Sequence, residues 1–127
     1  MLICMNMYQE HLMDHYRHPR NRGVIERPHF ISEEQNPSCG DSVSMSGLLE
    51  NDNLITVCFT GAGCVISQAA ASMLTERVIG LSLTDILQLQ PDYMRALIQI
   101  PLGPTRLKCA LLALEALQSG LNQLKRV

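Results

Sequence analysis

The sequence predicts an α+β fold: a small antiparallel three-stranded sheet packed with helices and closed by a long C-terminal helix. Three observations predict it. Tyr8, Leu12 and Tyr16 recur at helical spacing near the start of the chain. Between Phe30 and Thr60 the period falls to two. After Gly61-Ala62-Gly63-Cys64 helical spacing returns and holds into the C-terminal region.

Taken in order, the first helix is expected over Tyr8 to Arg17, stopping at His18-Pro19 because proline restricts the residue before it. Pro19 to Gly23 then reads as a loop. A strand around Phe30 to Ser32 precedes a hairpin in which Val43 and Met45 alternate with Ser42, Ser44 and Ser46. Ile55, Val57 and Phe59 alternate with Leu54, Thr56 and Cys58 on its second arm, and Glu50-Asn51-Asp52-Asn53 supplies the turn. A helix from Val65 to Ile79 carries Ile66, Ala69, Ala70 and Met73, with Gly80 placed to end it. Ser82 to Asp85 resembles a capping box for a short helix to about Leu89, and Pro91 opens another to Ile98. Pro104 opens the last helix, with Leu107, Ala110, Leu111, Leu114 and Leu117 on one stripe.

Composition narrows the function. The 127 residues suit one domain over 1–127, with residues 1–6 as a loose extension. Hydrophobic residues make up 46%, enough for a core, which excludes disordered classes. Ten Lys and Arg against twelve Asp and Glu leave a net charge of −2, and there is no Trp. Neither a phosphate-neutralising surface nor a base-stacking platform fits, so nucleic acid is not an expected partner. The longest apolar run, Cys109 to Leu114, is far short of the roughly 20 residues of a membrane span. The first residues lack the positive n-region of a signal peptide, and a cytoplasmic location is expected.

In that compartment thiols stay reduced, so five scattered cysteines point away from disulfides. Cys4 and Cys58 read as structural. Cys39, Cys64 and Cys109 each sit at a break or near a helix start, where unpaired N–H groups favour thiolate. Cys109 lies roughly 200° around the helix from Leu107, off the apolar stripe. No C-x-x-C pair occurs, and spacing alone leaves these three open between core residues and ligands. His11 and His15 share a helical face but lack a third ligand, so a solvated or partly packed face is the expectation. Glu10 and Asp14 read as surface partners of Arg17. Gly61-Ala62-Gly63 is a weak match to a phosphate cradle, without the later glycine or the Lys-Ser/Thr that such loops carry.

Four segments, from Tyr8 to about Leu117, resemble the IscU/SufU/NifU-type iron–sulfur cluster assembly proteins. They are Asp14-His15-Tyr16 with Pro19 to Gly23, Asn36 to Asp41, Gly61 to Ser67 with Ala71-Ser72-Met73, and Arg106 to Ala110. Residues before Met7 match nothing in that family. The resemblance implies that Cys39, Asp41, Cys64 and Cys109 are metal ligands. Three thiolates and a carboxylate carry a formal charge of about −4, which a divalent cation, Arg106, Lys108 and two helix starts would offset. A hard aspartate among soft thiolates suits cargo that must be released. Lys108 stands where IscU-type members have histidine, and Ile100 to Arg106 replaces their chaperone-recognition segment, both SufU-like features. The 44 residues between Cys64 and Cys109 are IscU-like.

The resemblance implies a scaffold that holds iron or a [2Fe–2S] cluster and passes it to apo iron–sulfur proteins or carrier proteins. The alternative is a SufU-type relay, isolated with Zn²⁺, in which Cys109 accepts persulfide sulfur from a cysteine desulfurase of SufS or IscS type. A structural zinc module is the third reading. No membrane partner is implied, and the protein is expected to be a monomer that dimerises when a cluster bridges two copies.

Overall fold

A computed structural model describes residues 2–38 and 40–125. Helix α1 spans Leu2–Arg17, followed by strands β1 (Phe30–Asn36), β2 (Asp41–Glu50) and β3 (Asn53–Ala62). Helices α2 (Val65–Val78), α3 (Leu83–Leu87), α4 (Pro91–Ile98) and α5 (Pro104–Lys125) complete the order. This is the expected α+β arrangement. Helix α1 starts ahead of the expected Tyr8, because Leu2 to Met7 contains neither proline nor glycine to stop a helix.

The strands form one antiparallel sheet in the order β1-β2-β3. β1 runs four residues past the expected Ser32, since Glu33 to Asn36 pairs with Ser44 to Asp41. Asn51 and Asp52 both take positive φ (53° and 63°), the backbone of a tight hairpin turn that asparagine and aspartate tolerate best. On β2 the alternation is as expected up to Met45, with Val43 and Met45 buried and Ser42 and Ser44 half-exposed, but Ser46 is buried as well. On β3 it is not. Leu48 pairs with Thr56 but Leu49 with Leu54, so Ile55 is the extra residue of a β-bulge. The bulge reverses the phase: Leu54 turns inward with Val57 and Phe59, and Ile55 is 44% exposed.

The inner face of the sheet packs against α5 and α2. Phe30 lies between two glycines: a Cβ on Gly47 would come 2.6 Å from its ring, and one on Gly120 would collide with the ring's other side. Ser32 Oγ donates to the Ala116 carbonyl, tying α5 to β1. α5 therefore approaches the sheet on its small residues, and its buried arc is wider than the sequence stripe. Cys109, Leu112, Ala113, Ala116 and Gly120 are buried along with Ala110, Leu114, Leu117 and Leu121, whereas Leu107 and Leu111 are only half-buried. α2 is buried continuously from Ile66 to Thr75, the signature of a helix enclosed on all sides.

Gly80, with φ of 98°, ends α2 as expected, and Ser82 caps α3 by accepting from the Asp85 N–H at 3.1 Å. The Pro19 to Gly23 loop runs beside β3. Asn21 O accepts from Phe59 N–H and Gly23 N–H donates to Phe59 O, each at 2.9 Å, which covers that sheet edge. Among the described residues no helix is long and apolar enough to cross a membrane.

Candidate metal centre

Three elements end at one place. Asp41 opens β2, Cys64 caps α2, and Cys109 lies in the second turn of α5. Asp41 shares the inward parity of Val43 and Met45, which carries its carboxylate to 2% exposure. A carboxylate so placed needs polar partners. Cys64 supplies two: its N–H donates to Asp41 Oδ1 and its thiol to Oδ2, both at 3.0 Å.

Gly63 makes that approach possible. Its φ is 135°, and a Cβ there would collide with Oδ1 and lie 2.6 Å from Asp41 Cγ. Cys64 itself takes extended backbone (φ −73°, ψ 166°) as the N-cap of α2, and its sulfur accepts from the Ser67 N–H at 3.5 Å. Ser67 Oγ donates to the Cys64 carbonyl at 3.1 Å. The first turn of α2 is thus organised around Cys64.

One ligand atom each from Asp41, Cys64 and Cys109 lies within 4.8 Å of the others. With metal–sulfur bonds of about 2.3 Å and metal–oxygen bonds of about 2.1 Å, tetrahedral ligand atoms stand roughly 3.6–3.8 Å apart. The Cys64 sulfur stands 3.0 Å from Asp41 Oδ2 and all three atoms lie within 4.8 Å, so changes of about an ångström would bring the three donors around one cation. Two sulfurs and an oxygen also match zinc or iron in softness. The donor set fits a thiophilic metal.

Of the expected site residues, the structure brings Asp41, Cys64 and Cys109 together. Cys39 lies outside the described residues; on either side of it, Ser38 N–H donates to Asn36 Oδ1 at 3.1 Å and Gly40 N–H to Asn36 O at 2.8 Å. Cys109 corrects the sequence reading in one respect. It is 5% exposed and on the packed arc of α5 rather than off it, because the sheet-facing side of the helix is its small-residue side. Arg106 lines a cavity of about 570 Å³ with Cys64, Cys109, Leu12, Met13 and Ile100. Lys108 instead borders a hollow of about 380 Å³ beside Asn36, Pro37 and Ser38.

The other candidates carry structure. The face that carries His11 and His15 is partly packed: His11 is exposed, whereas His15 is 2% exposed, with Nδ1 2.7 Å from Ser72 Oγ and Nε2 3.4 Å from Glu76. Burial, then the Arg20 guanidinium, hold its pKa below the usual histidine range. His11 packs edge-on against it, ring centroids 4.8 Å apart. Asp14 pairs with Arg20 at 2.6 Å rather than with the expected Arg17, since the turn at Pro19 brings Arg20 back over α1. That hydrogen bond lowers the Asp14 pKa. Cys58 is half-buried opposite Ser46, and burial pushes its thiol pKa up, which disfavours the thiolate. The glycines of the Gly61 to Gly63 segment each make room for a neighbouring side chain. Gly63 admits Asp41, and Gly61 lies under the Gln68 carboxamide. Sequence reasoning included Ser67 in a family-like segment but assigned no role to it or to Gln68; the local signal for Ser67 was a serine three residues after a helix-capping cysteine.

Comparison with known proteins agrees with this geometry. Residues 7–127 match the family described as NifU-like N terminal domain. The chain is 31% identical to the zinc-dependent sulfurtransferase SufU of Bacillus subtilis, with 90% of this chain and 88% of that protein covered. It is 30% identical to the iron–sulfur cluster assembly scaffold protein IscU of Thermotoga maritima, with 98% and 99% covered. Its structure is similar to that of a proposed SUF-system iron–sulfur scaffold from Fervidobacterium islandicum AW-1. There the TM-score is 0.78 at 29% identity, over 88% of this chain and 94% of that one.

Proposed function

Because the chain belongs to the NifU-like N terminal domain family, that of the IscU and SufU iron–sulfur cluster assembly proteins, we propose that it is an assembly scaffold. It gathers iron and sulfide into a [2Fe–2S] cluster on Cys39, Asp41, Cys64 and Cys109 and hands the cluster to apo-proteins or carriers. The observation that carries this reading is the convergence of Asp41, Cys64 and Cys109 within 4.8 Å. Two thiolates and a carboxylate so close repel one another unless a proton or a cation lies among them. Cargo iron supplies that charge, and the oxygen donor keeps the grip weak enough for release. Cys64 is exposed, which gives an acceptor a route to the cluster, while Asp41 and Cys109 are shielded from water.

The likeness to the zinc-dependent sulfurtransferase and the place of Arg106 favour a second reading. Here Zn²⁺ rests on the same side chains and the partner is a cysteine desulfurase. The Cys109 thiolate attacks the outer sulfur of the desulfurase persulfide. A new Cys109 S–S bond forms, the partner's S–S bond breaks, and its cysteine leaves as thiolate. Arg106 offsets the negative charge of the incoming persulfide. In both readings residues 1–127 act as one cytoplasmic domain, monomeric until a cluster bridges two copies.

Anaerobic reconstitution with iron and sulfide tests the first reading. A chromophore that transfers to an apo-ferredoxin and is absent in Asp41→Ala and Cys64→Ala supports it; no chromophore in the unsubstituted protein refutes it. For the second, the protein should raise the turnover of a cysteine desulfurase and carry a persulfide that Cys109→Ser lacks. Unchanged turnover sinks it.

A further inference from the structure

Gln68 is an amide where a packed helix would ordinarily carry an apolar side chain. It is 5% exposed, four residues after Cys64 on α2. Its Nε2 donates to the Ser42 carbonyl at 3.3 Å and to Ser67 Oγ at 3.0 Å. Ser42 directly follows Asp41 on β2, and Ser67 holds Cys64 through the Sγ and carbonyl contacts described above. The carboxamide is therefore a strut between the strand that delivers Asp41 and the helix turn that delivers Cys64.

Two further features single it out. Room for it depends on Gly61, where a Cβ would collide with the Ser42 carbonyl and lie 3.0 Å from Oε1 and 3.3 Å from Nε2. The Ser42 carbonyl can only accept, so the NH₂ group must face it. That orientation leaves Gln68 Oε1 buried with no hydrogen-bond partner among the described residues. An orphaned buried oxygen is costly, and a methionine would fill the same space without one. A residue present only for packing has no reason to bear that cost.

We propose that Gln68 is a positioning residue that sets the separation of Asp41 from Cys64 and thereby the grip of the centre on its metal. The proposal rests on the reading of Asp41, Cys64 and Cys109 as metal ligands. It touches no ligand chemistry directly. Its action is to keep two chain segments, joined also by the Asp41–Cys64 contact and by the pairing of Ser42 with Ala62, at fixed spacing before metal arrives. Support of ligands by neighbouring hydrogen bonds is commonly worth 10–100-fold in affinity, and an indirect strut belongs at the low end.

The test is titration of the full chain with Co²⁺, read by the thiolate-to-cobalt absorption, with Zn²⁺ affinity measured against a chromophoric chelator. Gln68→Met should weaken both metals by about tenfold while the melting temperature of the metal-free protein is kept. Ser67→Ala should weaken them too, and the double variant should lose less than the two single losses combined, since both cut one path. Metal affinity in Gln68→Met within about twofold of the parent overturns the proposal. So does a collapse of its melting temperature, because Gln68 would then be holding the fold. An absent thiolate-to-cobalt band in the unsubstituted protein defeats the metal centre itself. A normal band that Asp41→Ala abolishes and Gln68→Met leaves untouched defeats only the strut.

Discussion

Gly63→Ala puts the geometry of the centre under its sharpest strain. The backbone at residue 63 has φ of 135°, a region that glycine alone occupies cheaply, and forcing alanine there costs about 1–3 kcal/mol. The added Cβ would also sit 2.6 Å from Asp41 Cγ, where carbon atoms in contact ordinarily stand about 3.5–4.0 Å apart. The carboxylate must retreat by about an ångström. It then loses the Cys64 N–H, a hydrogen bond to a charged group worth about 1.5–3 kcal/mol. A total of about 2.5–6 kcal/mol lowers the melting temperature of a domain this size by about 10–20 °C. Metal affinity should fall by about tenfold or more, since the displaced group is one of the proposed ligands. Gly103→Ala is the control, because that position has open space and no positive φ; it should be neutral or slightly stabilising. Differential scanning calorimetry of metal-free protein and Co²⁺ titration read the two effects. If Gly63→Ala melts within about 2 °C of the parent and binds cobalt equally well, Gly63 is not what lets Asp41 reach Cys64.

Ser72→Ala removes the shared partner of His15 Nδ1 and the Arg20 N–H (2.7 and 2.8 Å), and should cost about 2 kcal/mol in urea unfolding with no change in metal affinity. His15 binds a proton less readily in the folded chain than in the unfolded one. Stability should therefore fall as pH drops through the unfolded histidine value near 6.5, by at most about 1.4 kcal/mol per pH unit, and His15→Gln should flatten that slope in pH-dependent melting. Gly47→Ala drives a methyl group into the Phe30 ring and to 2.9 Å from the Thr56 carbonyl, and should destabilise by about 1–3 kcal/mol in the same assay. Asp41→Asn keeps an acceptor for the Cys64 N–H but loses the charge. The protein should stay folded by circular dichroism and bind Zn²⁺ at least about tenfold more weakly.

Much of this molecule is written locally. The eight elements follow from features that act over two to four residues: the 3.6 and 2.0 periods, Pro19, Pro91 and Pro104 at helix boundaries, and Gly80 after α2. The proposed donors are local too in one sense: the segments around Asp41, Cys64 and Cys109 each carry a motif that resembles those of the family. Tertiary structure decided the rest. Ile55 points outward because a bulge against Leu48 and Leu49 shifts the pairing, and nothing within β3 announces its partner's register. Cys109 is packed because α5 meets the sheet through Ala113, Ala116 and Gly120, a face that a count of large apolar residues overlooks. The union of Asp41 with Cys64, 23 residues apart, needs β2 to deliver an inward carboxylate, Gly63 to clear its path and α2 to begin where it arrives. Periodicity reports only how a residue stands to its near neighbours, whereas a site of this kind is the meeting of segments that close packing alone brings face to face.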